Sequence, residues 1–197
     1  MKTRRMLTLC CALLCAAIFP PLPEANAESE RQTINGTAYF ISTGRFGGAR
    51  SRPFRLIVNS YTPTNQVREL NDALQQSQDE MLRTLSRMDA GRISIGSGIG
   101  VTANAIIADP WENGGTRLTV LYERNLTFFE LRAGSRSTDY RFGYAEIFLD
   151  RNGRGEGTLI GAARVRSRPG STWEVEDFGT FPARLMGLRS SGRVVPR

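Results

Sequence analysis

The sequence predicts an α+β fold: a curved, mostly antiparallel sheet, or a partly closed barrel, packed around one long amphipathic helix. Three observations carry this expectation. Only one stretch, residues 62–90, repeats its apolar residues at helical spacing. Most of the chain after residue 91 alternates apolar with polar residues in short runs. Glycine-rich turn signals separate those runs at roughly eight to twelve residues, the spacing of antiparallel meanders and not of strand–helix–strand units. A two-sheet sandwich with the helix as an outer cover is the other arrangement this pattern allows.

The elements follow in order. Residues 33–42 (TINGTAYFIS) are β-branched and aromatic and read as a strand. A Gly/Arg loop over 44–53 leads to a second strand, in which Phe54, Leu56 and Val58 alternate with Arg55 and Asn59. Thr62, Pro63 and Thr64 supply a cap and a proline for a helix start. Val67, Leu70, Leu74, Met81, Leu85 and Met88 then form an apolar stripe, with Ser77 filling its gap, and Gly91 ends the helix. Strands are predicted near 93–97, 101–108, 116–124, 126–132, 142–150, 157–167, 172–178 and 183–189. Trp173 and Val175 alternate with Glu174 and Glu176, so that strand is half exposed.

Residues 1–27 read as a secretory signal peptide. Lys2, Arg4 and Arg5 form a positive start, residues 6–19 an apolar run too short to span a bilayer, and Ala25, Asn26 and Ala27 a small-residue cleavage site. The expected organisation is therefore a removed leader (1–27), a single α+β domain (28–189) and a basic polar tail (190–197), with a periplasmic or secreted location. Cys10, Cys11 and Cys15 all lie in the leader and both Cys10 and Cys15 follow Leu, which argues against a lipid anchor. No second apolar run is long enough for a transmembrane helix.

The chain has 26 basic and 19 acidic residues, no His, and its one Lys is Lys2. The expected mature chain is thus arginine-rich and lacks Lys, His and Cys. That excludes a Ser-His-Asp triad, a thiol nucleophile, a Schiff base and a structural zinc site; acid–base chemistry would fall to Asp, Glu or Tyr. Arginines spread singly along the chain, often near acids, do not make a nucleic-acid stripe, so no nucleic-acid partner is expected. No cofactor or metal is expected.

Three stretches invite a functional reading. Asp150, Asn152 and Gly155 match positions of a calcium loop, but Arg154 and Gly161 stand where ligands are needed, so a hairpin turn is expected. Residues 96–100 (GSGIG) suggest a phosphate loop, but a strand-like segment follows them where a helix is required. The densest polar cluster is Arg136, Asp139, Tyr140 and Arg141, which we take as the candidate binding patch. Asp139 with Glu146 is the candidate acid–base pair if the protein cleaves glycans. Phe128, Phe129, Tyr144 and Phe148 are the candidate lining if it carries a hydrophobic ligand.

The run RSTDYRFGYAEIFLD, followed by GRGEGTLIGAA and WEVEDFG and preceded by QDEML in the helix, resembles a group of small exported bacterial proteins of uncharacterised function. The resemblance covers about residues 36–189 and implies no catalytic or binding residues. The sequence thus points to an exported bacterial domain that is non-catalytic and binds a ligand, an envelope component or another protein. A carboxylate glycan hydrolase and a small hydrophobic-ligand carrier are the alternatives.

Overall fold

Alternation of side chains builds most of this molecule. The computed structural model describes residues 31–41, 48–124, 139–168, 172–177 and 182–192. Strand β1 (Gln32–Ile41) pairs with β2 (Ala49–Val58), and Ile34, Ala38, Phe54, Leu56 and Val58 fall on the buried side. Two helices follow, α1 (Thr64–Gln76) and α2 (Gln78–Leu85). The remaining strands are β3 (Gly91–Ile95), β4 (Val101–Ala103), β5 (Ala105–Trp111), β6 (Gly115–Glu123), β7 (Phe142–Leu149), β8 (Arg154–Arg168), β9 (Thr172–Asp177) and β10 (Ala183–Ser190).

All strand pairings are antiparallel, in the order β4-β3-β2-β1-β10-β8-β7-β6-β5, with β9 also on β8. The two ends of this order, β4 and β5, are one run of chain interrupted only at Asn104. β4 pairs with β3 and β5 with β6, so the sheet curls into a nearly closed barrel. β9 and β10 divide the long β8 between them: Leu159 faces Ala183, and Ala163 faces Asp177. Taken with the β4–β5 run, the described strands behave as eight staves of an up-and-down meander. An eight-stranded barrel has an interior just wide enough for its own side chains.

The inward positions fill that interior. Ile34, Leu56, Ile106, Leu118, Val120, Ala145, Ile147 and Leu185 are all at 0% exposure and belong to one cluster. Each large member contributes about 1.5–3 kcal/mol by leaving water. The outer face carries Arg55, Glu123, Glu156 and Arg184, all exposed. Apolar inside and charged outside is the reverse of the polarity of an outer-membrane barrel. Among the described residues no helix is long and apolar enough to cross a membrane.

The structure corrects the predicted fold class. The protein is mainly β, and no long amphipathic helix lies in the middle of the sheet. The helical stripe is real but divided. Ser77 is extended (φ −169°, ψ 165°), ends α1, and caps α2 by accepting a hydrogen bond from the Glu80 amide at 3.1 Å. Both helices lie outside the barrel. Leu70, Leu74, Met81, Leu82 and Leu85 pack on Ala105, Leu121, Phe142, Ala163 and Val165, which belong to a second cluster on the outer faces of β5 to β8. The eight-stave interior leaves no room for them, so the 3.6-residue stripe serves as an outer cover. Thr62 does not cap α1; its amide donates to the Ile106 carbonyl and its hydroxyl accepts from the Ile106 amide, both at 2.8 Å. The predicted strand 101–108 breaks at Asn104, and the predicted strand 126–132 lies outside the described residues.

Candidate functional site

The outer faces of β5, β6 and β7 bring a set of polar groups together, and strand register determines which ones meet. Asp109 faces Arg117 across β5–β6, Ile107 faces Thr119, and Thr119 in turn faces Glu146 on β7. One residue pair along, Leu121 faces Tyr144. α1 overhangs this face through Val67, and β9 closes the other side with Trp173. The result is a groove of about 290 Å³ lined by Val67, Ile107, Asp109, Arg117, Thr119, Tyr144, Glu146 and Trp173.

Its side chains are fixed by one another. Arg117 Nη2 donates to Asp109 Oδ2 at 3.1 Å, and the Trp173 indole donates to Asn71 Oδ1 at 2.5 Å, tying β9 to α1. Glu146 and Thr119 flank the Tyr144 hydroxyl. Its pKa is pushed up to about 12, chiefly by burial, with the neighbouring Glu146 carboxylate adding to the rise and the Arg117 guanidinium and the Thr119 hydrogen bond opposing it. Tyr144 therefore stays a neutral hydroxyl at any physiological pH. Arg117 Nε, like Arg164 Nε, is buried without a hydrogen-bond partner from the protein. The groove therefore offers carboxylate acceptors (Asp109, Glu146) interleaved with donors (Arg117, Thr119, Tyr144) between apolar walls.

The residues singled out from sequence are placed differently. Arg136 lies outside the described residues. Asp139 is exposed and does not line the groove that holds Glu146, so the proposed Asp139–Glu146 pair does not share a site; the carboxylate beside Glu146 in the groove is Asp109. Tyr140 is buried at 8% exposure and donates to Glu176 Oε1 at 2.9 Å, while Arg124 Nη1 donates to the Tyr140 carbonyl at 3.2 Å. Arg141 pairs with Asp79 of α2 at 3.2 Å. Tyr140 and Arg141 thus clasp β7 to β9 and α2. Tyr144 and Phe148 sit on the outer face and line grooves there, not a barrel cavity, and Phe128 and Phe129 lie outside the described residues.

The two loop motifs resolve as turns. Asp150 Oδ1 accepts from the amides of Asn152 and Arg154, each at 2.8 Å, and Gly153 takes φ +70°. The Asp150 carboxylate thus shapes the β7–β8 hairpin. Gly96 and Gly100, at φ +77° and +83°, turn the β3–β4 hairpin, whose tip exposes Ile99. Among the described residues no group of three or more acidic, His or Cys side chains is placed to hold a metal.

Sequence reasoning missed Asp109, Arg117 and Thr119. Their only signal was that they are the outward members of strands whose inward members are Ile106, Ala108, Leu118 and Val120. Comparison with known protein families, with characterised proteins and with solved structures finds no match for this chain.

Proposed function

We propose that the protein is an exported, non-catalytic binding protein, and that the groove between α1 and the outer face of β5 to β7 takes a neutral carbohydrate. The observation that carries this is the interleaving of acceptors and donors beside an aromatic wall. A sugar hydroxyl both donates and accepts, so it matches Asp109, Arg117, Thr119, Tyr144 and Glu146 taken together. An anionic ligand would meet two carboxylates, and a cationic one would meet Arg117 at the centre. The indole face of Trp173 and the ring of Tyr144 suit the apolar face of a sugar ring. Export rests on the leader pattern of residues 1–27, and a glycan of the cell envelope fits that location.

A second reading, glycan hydrolysis, is favoured by one observation: Asp109 and Glu146 line the same groove. One experiment separates the two. Cello-, malto- and chito-oligosaccharides are titrated against the protein by calorimetry, and each mixture is then examined for cleavage by mass spectrometry. Binding that Arg117→Ala and Glu146→Gln weaken by about tenfold or more, with the sugars left intact, supports the binding reading. Cleaved products would replace it with hydrolysis. Failure of every sugar to bind, or a lipid co-purifying with the protein, would refute it.

A further inference from the structure

A second depression, of about 640 Å³, lies further along the same outer face, between the β5–β6 turn and the β7–β8 hairpin. Its floor is an aromatic pair: the Trp111 and Phe148 rings are 4.7 Å apart and tilted at 49°. Trp111 is 39% exposed, so part of its ring remains open to a ligand. The platform is held in place. The 3-10 turn Glu112–Gly114 brings the chain round with Asn113 and Gly114 at positive φ, and Arg151 Nε donates to the Asn113 carbonyl, clasping this turn to the neighbouring hairpin.

The two depressions meet at Arg117. It lines the first, and its guanidinium carbon lies 5.9 Å from the centre of the Trp111 ring that floors the second. On β7, Phe148 is the register partner of Arg117, two residues beyond Glu146. From Tyr144 to Asp150 the combined surface runs about 20 Å along β7 at the usual strand rise. That exceeds one sugar ring. Carboxylates outnumber guanidiniums along it, since Glu112, Asp150 and Glu156 face Arg151 and Arg154 in the second depression. Other depressions on the molecule lack this character: neither the one over α1 and α2 nor the one beside the β4–β5 break has an aromatic residue among its described lining.

We propose that the ligand is a linear, neutral glycan chain spanning both depressions, with Trp111 and Phe148 forming a second stacking subsite and Arg117 bridging the two. This rests on the carbohydrate-binding reading above. A chain gains from two platforms at once because the second contact is made without a second loss of translational freedom. Affinity therefore rises with chain length until both depressions are filled.

The test titrates the full chain with cello-, malto- and chito-oligosaccharides from disaccharide to hexasaccharide, on the wild type, Trp111→Ala and Trp111→Phe. Expected is an increase of about tenfold or more in affinity from the shortest to the longest sugar of the preferred series. Trp111→Ala should remove most of that increase and weaken disaccharide binding far less than hexasaccharide binding, while Trp111→Phe should keep most of the increase. Unfolding temperatures of the three proteins show whether the fold is intact. Disaccharide binding with no gain on lengthening would overturn the second subsite and leave the binding reading standing. The same holds if Trp111→Ala weakens short and long sugars alike. No binding at any length would overturn both.

Discussion

Asn104 joins the two ends of the sheet, and its removal should measure how firmly the barrel is closed. It lies between β4 and β5, at 6% exposure. Its side-chain amide donates to the Met88 carbonyl at 3.0 Å, and its Oδ1 accepts from the Glu123 amide at 2.9 Å. It thus ties the exit of α2 to the end of β6 across the break. Asn104→Ala removes both bonds and leaves two backbone groups partly buried without partners. Each such group costs about 1–3 kcal/mol, and partial access of water places both near the low end, so we expect a loss of about 2–3 kcal/mol. For a chain of this size that lowers Tm by about 4–12 °C. Asn104→Asp sharpens the test. Its carboxylate still accepts from the Glu123 amide but cannot donate to the Met88 carbonyl, and it brings a charge into a buried site. It should be at least as damaging as Ala at neutral pH, and should recover as acid protonates the new carboxyl and restores a donor. Urea unfolding gives the free energy, and amide exchange at Glu123 reports the local effect. A loss below about 0.5 kcal/mol for Asn104→Ala with unchanged Glu123 protection, or a neutral-pH Asn104→Asp as stable as wild type, would refute the closure argument.

Three further predictions concern the fold. A Cβ at Gly143 would lie 1.9 Å from the Tyr122 ring that covers it, so Gly143→Ala should destabilise by about 1–3 kcal/mol or more, and Tyr122→Ala should offset part of that penalty in a double-mutant cycle by urea unfolding. Tyr122, Tyr61 and Tyr144 all have hydroxyls pushed up to about 12 by burial. Because the unfolded chain ionises first, near pH 10, their stabilising effect is intact below that and is lost as pH climbs towards 12. Tyr122, the most deeply buried, accounts for about 2–3 kcal/mol of this, and Tyr122→Phe should flatten the slope of stability against pH in that window, with tyrosinate absorbance as the readout. Asp150→Ala removes the acceptor for two turn amides and should cost about 1–2 kcal/mol in thermal unfolding, whether or not calcium is added, whereas a calcium site would make the loss calcium-dependent.

Much of the strand content was legible because inward and outward residues alternate cleanly: Leu118, Val120 and Tyr122 against Arg117, Thr119 and Leu121 is one instance. Two features were not, and a third was legible but passed over. Helix inside or outside the sheet gives the same apolar stripe, and only the width of an eight-stave interior decides between them. The division of the helix did carry a signal: Ser77 followed three residues later by Glu80 is a capping-box pattern, and it marks a helix start where the stripe alone reads straight through. The groove was hidden for a different reason. Asp109, Arg117 and Glu146 lie on three strands, and nothing local says that α1 and Trp173 will wall the face where they meet. The Arg136–Arg141 cluster, by contrast, stood out in sequence because its members are consecutive, but Tyr140 and Arg141 are engaged with Glu176 and Asp79.

β1 finds its second neighbour only in β10, and Ser191 donates its amide to the Thr33 carbonyl at 2.8 Å beside that seam. A chain emerging amino end first therefore cannot complete the barrel until β10, the last of the described strands, has appeared. Until then β1 and β8 present raw edges to anything nearby, and a chain held in that state is open to intermolecular strand pairing. The same adjacency makes the molecule a candidate for rewiring: linking residue 192 back to residue 32 and cutting within the glycine-rich hairpin at 96–100 would move the vulnerable edges without changing a single strand neighbour.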